Sequence, residues 1–299
     1  MHGRAERAGA LSPFGLDLDT GIKAYRRRMS TFPALALIDG QPADPDTLVS
    51  HAFAGFAHFT AMQIRDSAVR GLDLHLDRLA GASRTLFGAD LAPERVLADL
   101  RTAVAGSPPD LSLVLTVFDS TGEFTGTSAE PSLHTLIRTA APANGPRGPL
   151  SLAIYEHERF MPEIKHVGEG AKTYYLRRAR AAGFDDAAFV DRQGRLSEAS
   201  IWNLAFWDGE TVVWPEAAVL TGTMMGIVRR RLHAAGIPQR TQAIRPTDLP
   251  GFGGAVVLNS WTPAIAVDRI GETRLSGSSE LVGVLHTAHA SEPPTSLAD

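Results

Sequence analysis

Between Ala140 and Pro149 the chain reads Ala-Ala-Pro-Ala-Asn-Gly-Pro-Arg-Gly-Pro, with three prolines and two glycines in ten residues. Such a stretch continues neither a helix nor a central strand, because proline lacks the backbone donor and glycine gives up conformational restraint. Strand and helix patterns resume on both sides, so the decapeptide reads as a linker between two mixed units. The expected architecture is therefore α+β in two domains. An arm covers residues 1–29, a small α/β domain 30–139, the linker 140–149, a large domain 150–290 and a polar tail 291–299.

Before the linker, Phe32 to Ile38 reads as a first strand ending at Asp39-Gly40, and Phe53 to Ile64 as a second, followed by a turn over Asp66 to Gly71. Apolar residues at helical spacing predict helices over Leu74 to Phe87 and Pro93 to Val104, the latter closed by Gly106-Ser107-Pro108-Pro109. Leu111 to Asp119 and Leu133 to Thr139 read as strands. After the linker, an alternating strand spans Leu150 to Phe160, and an amphipathic helix ends where Gly183 takes the left-handed position beyond its last turn. Asp186 to Asp191 then predicts a strand, Arg192-Gln193-Gly194 a turn, and Leu196 onward its partner. Leu220-Thr221-Gly222-Thr223-Met224 opens a further helix running through Ala235 to Gly236.

With 44% hydrophobic residues over 299 positions, the chain can bury one large or two moderate cores. A formal charge of -4, with Lys and Arg spread along the chain, gives no electrostatic footprint for nucleic acid or an anionic membrane. No apolar run has the length of a membrane span. The absence of cysteine removes disulfides and thiolate chemistry. The first thirty residues have no apolar core of a secretory signal, so a cytoplasmic location is expected, with residues 1–29 as a peripheral arm and Met29 as an alternative start. Small-molecule chemistry is the class left over.

The chemistry-bearing residues concentrate between Glu163 and Phe206. Lys165 stands between a strand and a helix, where a lysine can point into a cleft, and Glu198 arrives from the following hairpin. Lys172 competes with Lys165 for any role that needs an amine. Its surroundings, Gly168-Glu169-Gly170-Ala171-Lys172-Thr173, only glance at a phosphate loop, since His166 and Ala171 occupy positions that require glycine. His157 lies between Glu156 and Glu158, but alternate strand residues face opposite sides, which disfavours a metal site. Read alone, Lys165, Glu198 and Arg78 would each pass for surface charges.

Taken together the motifs resemble the fold type IV pyridoxal phosphate enzymes, the class IV aminotransferases that include branched-chain and D-amino acid aminotransferases and aminodeoxychorismate lyase. Lys165 lies eighteen residues before Gly183 in Gly183-Phe184-Asp185-Asp186, the family's spacing from lysine to turn. Asp191-Arg192-Gln193-Gly194-Arg195-Leu196-Ser197-Glu198-Ala199 and Asn203-Leu204-Ala205-Phe206 match its D-x-x-G-x-[LIV]-[ST]-E-[GA] and N-[LIV]-[FA]-F patterns. His75-Leu76-Asp77-Arg78-Leu79 matches H-x-x-R-L, and Asn259-Ser260-Trp261-Thr262-Pro263 lies where the family carries a phosphate loop.

The resemblance implies a homodimer of two-domain chains with pyridoxal 5'-phosphate between the domains. It implies Lys165 as the Schiff-base lysine and proton carrier, Glu198 as partner of the ring nitrogen, and Asn203 as a further cofactor contact. Arg78, the backbone at Thr223 and Met224, and Ser260 are implied as the phosphate contacts. A planar guanidinium and the free amides of a helix's first turn both suit that anion. The implied reaction is transamination between an amine or amino acid and an α-keto acid. A lyase of the aminodeoxychorismate type stays open, as does a catalytically degenerate relative that only binds a ligand. The strand Phe59-Thr60-Ala61-Met62-Gln63-Ile64-Arg65 departs from the family's [FY]-E-[GTV]-x-[RK]-x-Y, leaving Phe59, Gln63 and Arg65, with Trp202 and Trp261, as candidate substrate contacts. The upstream Ser50 to Ala57 departs from the family as well, so the amino donor is not specified.

Overall fold

The computed structural model describes residues 32–46, 48, 55–121 and 130–298. The expected arm over residues 1–29, Met29, and most of Ser50 to Ala57 lie outside them.

The first unit contains strands β1 (Ala36–Ile38), β2 (Gln41–Pro42), β3 (Ala57–Ile64) and β4 (Ala68–Arg70), helices α1 (Leu72–Phe87) and α2 (Pro93–Ala105), and strands β5 (Leu111–Asp119) and β6 (Leu133–Ala140). Five strands form an antiparallel sheet in the order β2-β1-β6-β5-β3. Strand alternation divides its two faces. Met62 and Ile64 of β3 share one face with Leu113 and Leu115 of β5, packed with Leu79 of α1 and Val96 and Leu100 of α2. Phe59 and Ala61 lie on the opposite face, where Ala61 pairs with Val114. That face looks into the cleft. The first strand is shorter than expected because Pro33 near its start cannot donate to a ladder.

The second unit contains β7 (Leu150–Glu156), α3 (Gly170–Ala181), β8 (Asp186–Val190), β9 (Leu196–Ala199), β10 (Asn203–Trp207), β11 (Val212–Pro215), α4 (Thr223–Ala234), β12 (Gln239–Gln242), β13 (Gly254–Asn259), β14 (Thr262–Ile270), β15 (Thr273–Arg274), α5 (Ser278–Ala290) and β16 (Pro294–Ser296). The sheet order β12-β11-β10-β13-β14-β7-β8-β9 closes on itself, since β9 also pairs with β10. Leu204 and Phe206 belong to one apolar cluster of this ring, whereas Ala205 and Trp207 belong to a second, against α4 and α5. Closure places Glu198 directly opposite Asn203. The expected strand over Leu150 to Phe160 ends at Glu156, because the chain then turns through Met161, whose φ is +47°, towards Lys165.

Helix α3 ends as its sequence predicts. Gly183 has φ +82°, its N–H donates to the Arg180 carbonyl at 3.1 Å, and the Phe184 N–H donates to the Ala179 carbonyl at 3.0 Å. Those two bonds make a Schellman motif. It turns the chain directly into β8.

The expected polar tail is instead part of the fold. β16 pairs antiparallel with β4 of the small unit, the Leu297 N–H donates to the Ser67 carbonyl at 2.9 Å, and Leu297 is 1% exposed within the small unit's core. The residues of β16 are all exposed, so hydropathy carries no sign of the strand, and only Leu297 marks where the segment docks. Arg230 of α4 bonds both Asp73 of α1 and Glu292 just before β16, so an ion-pair network also joins the units. Among the described residues no helix is long and apolar enough to cross a membrane.

Leu297→Ala should destabilise the protein by about 2 kcal/mol, the low end for truncating a buried leucine. Denaturant unfolding measures it. An unchanged midpoint would show that this segment is not docked in solution.

Candidate active site

The two units meet along β3. The segment 165–167 lies beside it as an added antiparallel strand: the Phe59 N–H donates to the Lys165 carbonyl, and the Val167 N–H to the Ala57 carbonyl, both at 2.9 Å, with His58 bridged to His166. Arg159 supports the same segment by donating from Nη2 to the Ile164 carbonyl at 2.6 Å. Lys165 is thus fixed by backbone bonds to the other domain.

A cavity of about 510 Å³ opens at this junction, within the ~300–1,000 Å³ typical of small-molecule sites. The small unit contributes Phe59, Ala61, Val114 and Arg78 to its walls; Lys165, Glu198, Asn203, Thr223, Met224 and Ser260 come from the large unit. Trp202 and Trp261 line it too, their rings 5.8 Å apart at 71°. Gln63 and Arg65 do not line it. They border a neighbouring cavity, where Gln63 Oε1 accepts from Ser112 Oγ, the Ala143 N–H and Arg65, while Arg65 also donates to the Ala143 carbonyl and Asn144 Oδ1. These two side chains tie the end of β3 to the linker, and the structure does not bring them to the cavity of Lys165 and Glu198.

The two lysines differ in state. Lys165 Nζ sits 4.7 Å from the centre of the Phe59 ring and has no carboxylate partner among the described residues. Burial, reinforced by the positive charges of Arg78, Arg159 and Lys172 and opposed only by Glu198, lowers its pKa from 10.5 to about 7. Lys172 Nζ, by contrast, donates to Glu198 Oε1 at 2.7 Å and lies 3.3 Å from Glu169 Oε2. Lys172 is committed to two carboxylates. Lys165 has an amine free to react.

Arg78 is partly buried, and its Nη2 donates to the Thr60 hydroxyl, which lies 2.6 Å from His75 Nδ1. The hydroxyl can accept from Arg78 while donating to a neutral His75, and burial followed by the Arg78 charge does push the His75 pKa down to about 3. Burial and then Arg159 lower the Arg78 pKa to about 10, which leaves it charged at neutral pH. Among the described residues its Nε has no hydrogen-bond partner, and neither has Ser200 Oγ on the same cavity. A partly buried guanidinium with only a neutral hydroxyl for company calls for an anion.

Helix α4 aims its start at the cavity without a side-chain cap, so the amides at Thr223 and Met224 are among its uncommitted donors. Asn203 shapes that start: its Nδ2 donates to the Leu220 carbonyl at 2.7 Å, and a Cβ on Gly222 would stand 2.3 Å from Asn203 Oδ1. Any side chain at 222 would displace this turn. Asn203 therefore lies at the cavity wall while holding the helix start in place.

Sequence reasoning did not anticipate Arg159 or Glu169. Arg159, only 4% exposed, lies 3.4 Å from Glu169 Oε1 and 4.0 Å from Glu198 Oε1. Glu156-His157-Glu158-Arg159 looks like a solvated charge run, and nothing local shows that its last member turns inward. The spacing of Glu169 and Lys172, three residues apart at a helix start, was a usable signal for their pairing. His157 packs against Phe189 and Tyr175, with centroids at 4.9 and 5.5 Å, while Glu158 pairs with Arg192.

A model of the family described as amino-transferase class IV matches residues 57–270. No curated protein sequence matches the chain. Among solved structures, the chain is similar to the branched-chain aminotransferase of Thermoproteus uzoniensis with norvaline, at TM-score 0.76 and 18% identity, covering 85% of this chain and 93% of that one. The 4-amino-4-deoxychorismate lyase of Pseudomonas aeruginosa is similar at TM-score 0.67 and 21% identity, covering 85% and 97%. The branched-chain amino acid aminotransferase of Escherichia coli gives 0.74 and 14%, covering 88% and 99%.

If the Lys165 amine is neutral above a pKa of about 7, its reaction with limiting formaldehyde and borohydride in the cofactor-free protein should fall off as the pH drops below 7. Exposed lysines should fall off some three units higher. Peptide-resolved modification rates check this, and a Lys165 profile coinciding with the surface lysines would refute the assigned environment.

Proposed function

The chain belongs to the amino-transferase class IV family, whose cofactor is pyridoxal 5'-phosphate, and we propose that it moves an amino group between an amine or amino acid and an α-keto acid. The observation that carries this reading is the division of labour between two lysines on one cavity. Lys172 bonds carboxylates, and Lys165 carries on the same cavity an amine whose pKa is lowered to about 7.

The residues present fit the cofactor. A cation without a carboxylate, Arg78, lies on the same cavity as an uncapped helix start, and a buried carboxylate, Glu198, lines it as well. Pyridoxal phosphate, when bound, supplies an aldehyde for a lysine amine and a ring that draws electrons from the substrate. In this reading Arg78, the amides at Thr223 and Met224, and the Ser260 loop receive the phosphate. Glu198 holds a proton at the ring nitrogen. Lys165 Nζ would hold the cofactor aldehyde and would be the group that moves a proton at the substrate carbon. Phe59, Trp202 and Trp261 exclude water and face the substrate.

The same proton-carrying lysine serves an elimination to pyruvate, and the fold shared with the Pseudomonas aeruginosa lyase supports that as the second reading. A homodimer belongs to the proposal as well. Ile201 and Trp261 are 46% and 38% exposed on the cavity wall, an apolar surface that a second copy would cover.

Borohydride reduction of the cofactor-loaded protein followed by peptide mapping should find the modification on Lys165, in wild type and in Lys172→Ala alike. Lys165→Ala should lose both the modification and turnover. A modified peptide at Lys172, or a protein that takes up no cofactor, would overturn the proposal. Supplying an α-keto acid with D-, L- and non-α amines, and aminodeoxychorismate without an acceptor, separates transfer from elimination.

Arg78→Ala should weaken cofactor affinity by roughly thirty-fold or more, equivalent to at least about 2 kcal/mol for losing one side of a charge-assisted contact. The saturated variant should keep part of its activity, since the α4 amides still hold the phosphate. Titration of cofactor-free protein measures it, and an unchanged dissociation constant would remove Arg78 from the phosphate site.

A further inference from the structure

Glu198 is not an isolated carboxylate. Its Oε1 accepts a hydrogen bond from Lys172 Nζ at 2.7 Å and lies 4.0 Å from Arg159 Nη1, whereas Oε2 accepts none from a described residue. Lys172 and Arg159 also share Glu169, at 3.3 and 3.4 Å, and His166 Nε2 lies 3.0 Å from the same carboxylate. Two carboxylates and two cations thus form one cluster on the cavity wall, with His166 at its edge.

That cluster bears on any proton held beside Glu198. A lone buried carboxylate strongly favours a positive partner, but one already bonded to an ammonium offers far less, because the incoming positive charge is repelled by the first. Glu169 moderates the repulsion by taking part of the Lys172 charge. The arrangement also has a geometric effect. Glu198 sits on the short strand β9, and the Lys172 bond from α3 restrains the side chain that β9 presents to the cavity.

We propose that Lys172 is a positioning residue that fixes Glu198 and limits how strongly this carboxylate can hold a proton on the ring nitrogen of bound pyridoxal phosphate. The inference rests on the cofactor reading above and deepens it. It assigns a role to the lysine that does not react. A weakly held ring proton makes the ring a milder electron acceptor, which favours simple proton relocation between carbon centres over reactions that need a long-lived carbanion.

The remaining charged and titratable groups facing the cluster are Lys165, Arg78 and His157. Burial, the largest effect, lowers the His157 pKa, so at neutral pH this ring adds no positive charge.

The test uses holoenzyme loaded with pyridoxal phosphate carrying ¹⁵N in the ring, with its ¹⁵N shift followed across neutral pH. Wild type should lose the ring proton within the accessible range. Lys172→Met should raise the midpoint by about one unit or more, Glu169→Gln should lower it, and Lys172→Arg should stay near wild type. Opposite shifts in the first two variants are the signature that a merely structural role for Lys172 would not produce. Identical midpoints, or a nitrogen protonated throughout in every variant, would overturn the proposal. If Lys172→Met does not fold, Glu169→Gln decides alone, and an unmoved or raised midpoint overturns it. A wild-type protein that takes up no cofactor would instead defeat the underlying reading.

Discussion

The backbone pairing of residues 165–167 with β3 is the contact on which the site depends. Two hydrogen bonds and one bridge are a small energetic matter, roughly 1 kcal/mol each after exchange with water. Their geometric effect is larger. They bring an amine from the large unit and the Phe59 face of the small unit to one register, with Arg78 entering beside Thr60 from α1. Other contacts join the same two units. The Arg230 network with Asp73 and Glu292 and the return of β16 to β4 act at the far side of the same junction.

Closure of the large sheet plays the complementary part. β9 and β10 meet through a single residue pair, and that pair is Glu198 with Asn203. One member supplies the carboxylate on the cavity wall, and the other, through the Leu220 carbonyl and the tight fit at Gly222, fixes where α4 begins. The carboxylate and the uncapped helix start are thus set by one cross-strand register. A slip of one residue would turn both side chains away together.

How much of this was legible follows from how local each determinant is. The turns at Gly183 and Gly194 need positive φ, and glycine at those positions announces them, so the run from α3 through β9 could be read with Glu198 near its true place. The motifs that located Lys165, Arg78 and the α4 start are likewise contiguous. Gln63 and Arg65 could not be placed from the sequence because their hydrogen bonds to Ala143 and Asn144 join them to linker residues 78 to 80 positions later. The tail failed because β16 is wholly exposed and its pairing depends on a partner more than two hundred residues earlier. Arg159 and the Lys172–Glu198 bond are of the same kind, since each is decided by a chain reversal that no short pattern encodes.

The charge balance of the cavity ties these pieces to one another. Lys165, Lys172, Arg78 and Arg159 face only Glu169 and Glu198 among the described residues lining it. Arginines cannot shed a proton under ordinary conditions, and Lys172 is held by both carboxylates, so Lys165 is the group that can relieve the excess by becoming neutral. One positive charge still remains, and it resides on Arg78, whose partner is a hydroxyl. An anion bound there would cancel it and remove the largest coulombic cause of the depressed Lys165 pKa. By linkage, the protonation of Lys165 and the binding of an anion at Arg78 must favour each other, over a distance that involves no moving part. Arg78 and the Lys165 amine are therefore coupled through the same excess of positive charge on the cavity.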